Sequence, residues 1–427
     1  MSSECDFSIV PHFGDVPKNE EILGKYMDRI ACTNSGDTKH IKFEIKGNED
    51  YINLQKTSLY FKAKIVKSDG TNLDNNAEVA FINYPGSTLF SKVDVSIGDA
   101  NDNVLSHEYY GYISYLQTLL TFDNCAKDTW LTGGLFYKDT PGKMDAYSQD
   151  NQGFVKRKNL TAQSVYVECE VPIHSGFFQQ PKPFKNRIDF TIEFTKQDDD
   201  FCIMADVANK YKIEILEPTL IIERLQLSSE LITIYESQLL KQNIKYYIER
   251  CKIWVKDQSD GIEQLTLRNF TDENELPKKI IFGMVSELAF SGRQNLNPMN
   301  FKNYNLSSFN LTVNGRSFYG EPLSMNFGAK QCIQPYMHTM RSLGFFGKKD
   351  GCSLSKEEFI NGCSLFAIDL APTSCGLNLI DPVQTGILTI DLHFSTPTPE
   401  KFKTIIYMEF ESHFAINSSN RVIKLYT

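Results

Sequence analysis

The densest group of potential ligands in the chain is Asp198-Asp199-Asp200, three carboxylates in a row at the end of an alternating stretch. Hard cations such as calcium take carboxylate oxygens, so the run offers a cation site. Because it directly follows a strand-like segment, it reads equally as a solvated loop tip, the usual fate of a block of like charge. Seven histidines, at 12, 40, 107, 174, 338, 393 and 413, never fall into a metal-binding pattern. His107-Glu108 begins as H-E-x-x-H would, but Gly111 holds the fifth place. Ten cysteines are scattered from Cys5 to Cys375 without a C-x-x-C pair, so zinc spacing is absent. There is no G-x-S-x-G elbow, "FFGKKD" lacks the remaining parts of a phosphate loop, and "LTGGLF" is a turn. "KRKN" at 156–159 could touch phosphate, yet three basic residues in an acidic chain read more simply as a soluble loop. The sequence thus names no catalytic residue, no cofactor-binding residue and no metal ligand. It predicts a protein that is not an enzyme and needs no cofactor.

Bulk properties narrow the class further. The 427 residues are 41% apolar and 23% charged, enough for two or three packed domains and too apolar for long disorder. Aromatics reach 12%, with 30 Phe and 20 Tyr, which suits β structure and broad interfaces. A net charge of −9 repels phosphate backbones, so no specific nucleic-acid binding is expected. "MSSECDFSIVPHFGD" has no basic region followed by an apolar run, so the chain is read as not secreted and its thiols as free. No stretch has the ~20 apolar residues a membrane span needs. Five N-x-S/T sequons, at Asn159, Asn269, Asn305, Asn310 and Asn417, are then chance in an Asn-rich chain.

The elements that would carry any site are strands. "KHIKFEIKG" places Ile41, Phe43 and Ile45 on one face, and "SLYFKAKIV" does the same with Leu59, Phe61, Ala63 and Ile65. This period of two marks half-buried antiparallel strands. The pattern is stated twice. "FINYPGSTLFSKVDVSIGD" (81–99) has its echo in "NYNLSSFNLTVNGRS" (303–317), with Tyr304 lying 304 − 84 = 220 residues after Tyr84. "RIDFTIEF" (187–194) is echoed by "ILTIDLHF" (387–394), pairing Phe194 with Phe394 at an offset of 200. After the first motif in each half comes a helical spacing: Tyr109, Tyr112/Ile113, Leu116 and Leu119/Leu120, then Ile333, Tyr336/Met337, Met340 and Leu343, with Gly344 as a C-cap. Three pairs in one order predict two copies of one domain. We read residues 1–37 as an N-terminal arm, 38–228 as the first domain, 229–243 as a connector and 244–427 as the second. In the connector, "SSELITIYESQLLKQN" favours a short Ser-capped helix, with "LITIY" open to a strand. The fold class is all-β with short helices: two tandem antiparallel β-sandwiches of the jelly-roll kind.

The wording of the loops is more specific. "LPKKIIFGMV" and "AFSGRQNLNPMNFKNYNLSSFNLTVNGRSFYGEPLSMNF" (276–327) resemble the second jelly roll of major capsid proteins from Polinton (Maverick) elements and related double jelly-roll DNA viruses. "GNEDYINLQKTSLYFKAKI", "GSTLFSKVDVSIGD", "WLTGGLFYKDTPGKMD" and "CEVPIHSGFFQQPKPFKNRIDFTIEF" match in order through the first half. "GCSLFAIDLAPTSCGLNLIDPVQTGILTIDLHFS" and "IIYMEFESHFAINSSNRVIKLY" complete the second. The resemblance implies a double jelly roll whose homotrimers form pseudo-hexagonal capsomers tiling an icosahedral shell around double-stranded DNA. It implies a virion protein made inside the host cell, with capsomer–capsomer contacts and a separate single jelly-roll penton protein as partners. The competing reading is an intracellular carbohydrate-binding or carbohydrate-processing protein on the same sandwiches, since fold alone does not fix function. Such a protein would cluster Trp, and this chain has only Trp130 and Trp254. A third reading is a host-retained copy with a new binding role.

Overall fold

The computed structural model describes residues 21–34, 39–98, 104–206, 211–348, 351–372 and 382–425. His12, Cys5, Cys375 and most of the stretch read as an arm lie outside the described residues. In the first half, eight principal strands follow one another: β1 (Ile22–Ala31), β2 (His40–Ile45), β3 (Tyr51–Lys67), β4 (Phe90–Ile97), β5 (Val104–Glu108), β6 (Val167–Pro172), β7 (Phe190–Lys196) and β8 (Tyr211–Leu227). The second half repeats them: β9 (Ile244–Gln258), β10 (Gln264–Arg268), β11 (Lys279–Ser286), β12 (Leu306–Val313), β13 (Arg316–Ser317), β14 (Phe366–Asp369), β15 (Leu388–Phe394) and β16 (Phe402–Ile416).

The two halves share one topology. The first builds sheets of order β1-β8-β3-β6 and β2-β7-β4-β5; the second builds β9-β16-β11-β14 and β10-β15-β12-β13. Adding eight to each strand number of the first half reproduces the second, and neighbouring strands are antiparallel. Each half is therefore a jelly roll, and the chain is two in tandem. Alternation decides which face is buried. In β2, Ile41, Phe43 and Ile45 point into the core while His40, Lys42 and Glu44 do not.

The repeated motif is repeated in detail. Phe90, Val93 and Val95 of β4 and Leu306, Phe309 and Leu311 of β12 are buried in matching places. Both strands bulge at the same step, skipping Ser91 and Ser307. The extra residue is tied down identically: Ser91 Oγ donates to the Thr195 carbonyl (3.2 Å) and Ser307 Oγ to that of His393 (2.9 Å). Each chain segment enters its strand after a tyrosine with positive φ, Tyr84 (62°) and Tyr304 (47°), an uncommon conformation away from glycine. A short helix, Pro85–Thr88, stands between Tyr84 and β4. It accounts for the drift from 304 − 84 = 220 at the tyrosines to 306 − 90 = 216 at the strands.

Two readings need correction. Ile192 pairs with Val95 and Ile390 with Leu311, so the equivalence of β7 and β15 is 390 − 192 = 198. The pairing of Phe194 with Phe394 was one pleat too long; two residues restore the same face, so the pattern could not reveal the slip. "KRKN" is not a loop. It lies on helix α2 (Gln152–Thr161), and Arg157 is fully buried. In addition, β1 falls inside the stretch read as an arm, where it forms the edge strand beside β8 with most of its residues exposed.

Three more helices matter. Between β5 and β6 lies α1 (Tyr110–Thr121), together with α2. The connector folds as α3 (Ser229–Leu239), its N-cap Ser228 accepting a hydrogen bond from the Leu231 amide at 3.2 Å. Between β13 and β14 lies α4 (Ile333–Ser342), occupying the place in the second roll that α1 holds in the first.

Candidate functional site: the seam between the rolls

The residues singled out for chemistry are dispersed, and two of the three consecutive carboxylates are already partnered. Lys196 pairs with Asp199 at 2.7 Å, and Gln294 donates to Asp200 at 2.7 Å, so these carboxylates act as structural acceptors. Among the described residues, no group of three or more His, Cys, Asp or Glu could hold a metal. His107 is buried in β5 and shares a 2.8 Å hydrogen bond with Ser175; burial pushes its pKa down to about 4. Eight cysteines, from Cys32 to Cys363, are free thiols. Trp130 packs on Phe122 and Trp254 on Phe270, in different rolls, so they form no shared aromatic platform. No helix among the described residues is long and apolar enough to cross a membrane.

What the fold does assemble is the seam between the two rolls, formed by the α1–α2 insertion on one side and the second roll on the other. Helix α1 is buried at ten of its positions. Tyr112 stacks on Phe290 at 5.6 Å and 11°, meets Phe301 edge-on, and donates its hydroxyl to the Pro298 carbonyl at 3.1 Å. Gln117 reaches across to Tyr407 Oη at 3.0 Å and Cys251 Sγ at 3.3 Å. Tyr407 and Cys251 lie on the outer face of the β9-β16-β11-β14 sheet, whose inner face carries Phe282 against Phe309. Gly176 sits so close to β9 that an added Cβ would come within 2.1 Å of the Glu249 carbonyl oxygen. Only glycine permits that approach.

A polar lock closes the seam. Arg157 and Asp139 form a fully buried pair at 2.6 Å, and the guanidinium also donates to the carbonyls of Phe81 and Tyr137. Asp139 in turn accepts from Asn297 Nδ2 of the second roll at 2.9 Å. Asp145 accepts from the Asn297 amide (2.9 Å) and from Asn300 Nδ2 (2.8 Å). Lys127, from the first roll, donates to the Cys352 carbonyl (2.6 Å) and to Ser353 Oγ (2.8 Å); burial, then the nearby Lys138 charge, lower its pKa to about 8. Removing one member of such a buried network leaves its partner's charge uncompensated.

Titratable groups in the seam are displaced by the same burial. His174 lies at 3.1 Å from both Tyr84 Oη and Gln117 Oε1, and its pKa is pushed down to about 4. Glu249 is raised to about 7 by burial and by the adjacent Glu409 carboxylate. Burial pulls Lys279 down, but Glu409 at 2.8 Å outweighs it and leaves that ammonium more basic than usual. None of the lock residues was legible as a site from the sequence. The nearest signals were "PGKMD" and "LNPMN", which carry Asp145, Asn297 and Asn300 and belong to the loops of the family resemblance.

No protein-family model matches the chain. The uncharacterized protein F54H12.2 of Caenorhabditis elegans is 21% identical over 385 residues, 87% of this chain and 89% of that protein. Among solved structures, a chain of the Sputnik virophage superposes with a TM-score of 0.67 at 12% identity, covering 100% of this chain and 92% of its own. The mavirus major capsid protein gives 0.58 at 11% identity over 99% and 94%. The Faustovirus major capsid protein gives 0.57 at 10% over 96% and 93%. At these identities the likeness is one of fold, and it spans both rolls. The chain has the double jelly-roll fold found in viral major capsid proteins.

Proposed function

We propose that the protein is a major capsid protein, with a structural rather than an enzymatic role. Three chains form a trimer, its six rolls make a pseudo-hexagonal capsomer, and capsomers tile an icosahedral shell around a double-stranded DNA genome. The observation that carries this reading is the superposition of nearly the whole chain on the mavirus and Faustovirus major capsid proteins. The Polinton (Maverick) assignment rests on the ordered loop wording, above all residues 276–327.

Doubling has a physical rationale. A trimer of double domains approximates six-fold packing with only three-fold symmetry, and its head-to-tail contacts close into a ring. Such a capsomer does not fill a five-fold vertex, so a single jelly-roll penton protein is the expected partner. The virion is the expected location, after synthesis inside the host cell. Negative-stain images of the purified protein test the reading. Particles of hexagonal outline, or closed shells, are the expected result; isolated single chains at every concentration would overturn it.

A further inference from the structure

On the outer face of the β9-β16-β11-β14 sheet, the charges form a ladder that is one cation short. Glu249 of β9 stands directly opposite Glu411 of β16, and Cys251, two residues on, stands opposite Glu409. Like charges placed this way repel one another. Two of the three carboxylates are answered: Lys279 of β11 pairs with Glu409 at 2.8 Å, and the preceding Lys278 pairs with Glu411 at 3.0 Å. Glu409 also accepts from the Tyr407 hydroxyl at 2.9 Å. Glu249 has nothing comparable. Among the described residues it accepts only a weak contact from Cys251 Sγ at 3.9 Å, and no ion pair reaches it.

The same carboxylate lines a cleft of about 460 Å³ between the rolls, to which the first roll contributes Thr57, Gln117, Phe122 and Phe178. Thr57 is 2% exposed, and its hydroxyl finds no partner among the described residues. A buried hydroxyl left this way costs free energy until something bonds to it. A metal ion suits the cleft poorly. Hard cations take six or more oxygens, and no group of three or more His, Cys, Asp or Glu among the described residues could hold one. An alkylammonium suits it well: the head supplies the missing charge and several N–H donors, and the hydrocarbon arm covers the rings.

We infer that this cleft binds a primary alkylammonium, its head on Glu249 and Thr57 and its arm against Phe122 and Phe178. The chemistry is shared by a free amine and by the lysine side chain of another protein.

Binding depends on the charge of Glu249. Burial, then the Glu409 carboxylate, raise its pKa to about 7, so in mild acid the incoming ammonium must displace a proton. Facing Glu249 are Glu409, Glu411, Lys278 and Lys279, with Asp369 opposite Lys279. Farther along the face, His413 and Lys182 lie against Tyr247. Across the seam, His174 and His107 have pKa values of about 4 and stay neutral.

Pentylammonium chloride is the probe, titrated calorimetrically into the full chain, with 1-pentanol as the uncharged control. Pentylammonium should bind about ten-fold more tightly at pH 8 than at pH 6, following the ionised fraction of a carboxyl that titrates near 7. Pentanol should bind far more weakly. Glu249→Gln should lose the binding with its circular dichroism unchanged, and Thr57→Val should weaken it. Nα-acetyl-lysine amide binding as tightly as pentylammonium assigns the cleft to a lysine side chain; binding of pentylammonium alone assigns it to a free amine. The wild-type comparisons stand even if a variant misfolds. No binding by the wild type, equal binding of pentanol, equal affinity at the two pH values, or full binding by folded Glu249→Gln would overturn the proposal.

Discussion

Strands β8 and β16 hold the same place in their rolls, yet their surroundings differ. Over its first nine residues, β8 is buried at only Tyr211 and Ile213, whereas β16 is buried without interruption from Thr404 to Phe410. The inner faces are alike; the difference lies on the outer face, where β16 meets α1 and its seam partners. The same contrast separates α1, enclosed nearly all round, from α4, which covers one side only. Duplicated sequences fold to the same roll, but position in the chain decides which surfaces are covered.

Acid should break this comparison most strongly. Among the described residues the only buried histidines, His107 and His174, are both in the first roll, each with a pKa lowered from 6.5 to about 4. An unfolded chain takes up these protons near pH 6.5, so the stability is fully present above that value. It falls as the pH drops from 6.5 toward 4 and levels off below. At about 1.4 kcal/mol per pKa unit, each histidine contributes about 3 kcal/mol to the loss. Urea titrations across this range should show the slope, and His107→Asn with His174→Gln should flatten it.

Arg157→Ala attacks the lock from the first-roll side. It strands Asp139 in a buried site and should cost about 3–5 kcal/mol of unfolding free energy in denaturant titrations. Gly176→Ala forces β9 away from the first roll and should cost about 1–3 kcal/mol by the same measurement. The smallest effect sharpens the comparison from the other side. Met337→Ala on α4 should change the stability of the dilute single chain by no more than about 0.5 kcal/mol, because Met337 is only partly covered there.

Much of the fold was legible because a period of two survives wherever one face is buried. Ile41, Phe43 and Ile45 declare β2, and the doubled motif around β4 and β12 declares the duplication. The register was not, since Phe394 and Leu392 lie on the same face as any candidate partner. β1 escaped because "ILGKYMDRI" has no core-directed alternation; only Gly24, Asp28 and Ile30 are even partly buried. Arg157 was read as a solvated charge because nothing local announces the carbonyls and the carboxylate gathered around it from Phe81 and from the loop carrying Tyr137 and Asp139. The seam was invisible for a related reason. Its members come from segments more than a hundred residues apart, and the outer face of a strand looks the same in sequence whether water or another roll covers it.

The central claim, that the chain is a capsid protein assembling as a ring of three copies, is tested most directly by the solution mass of the purified protein. Light scattering should give three times the 48.7 kDa chain mass over a range of concentrations and salt. A stable single chain under all of these conditions would contradict it.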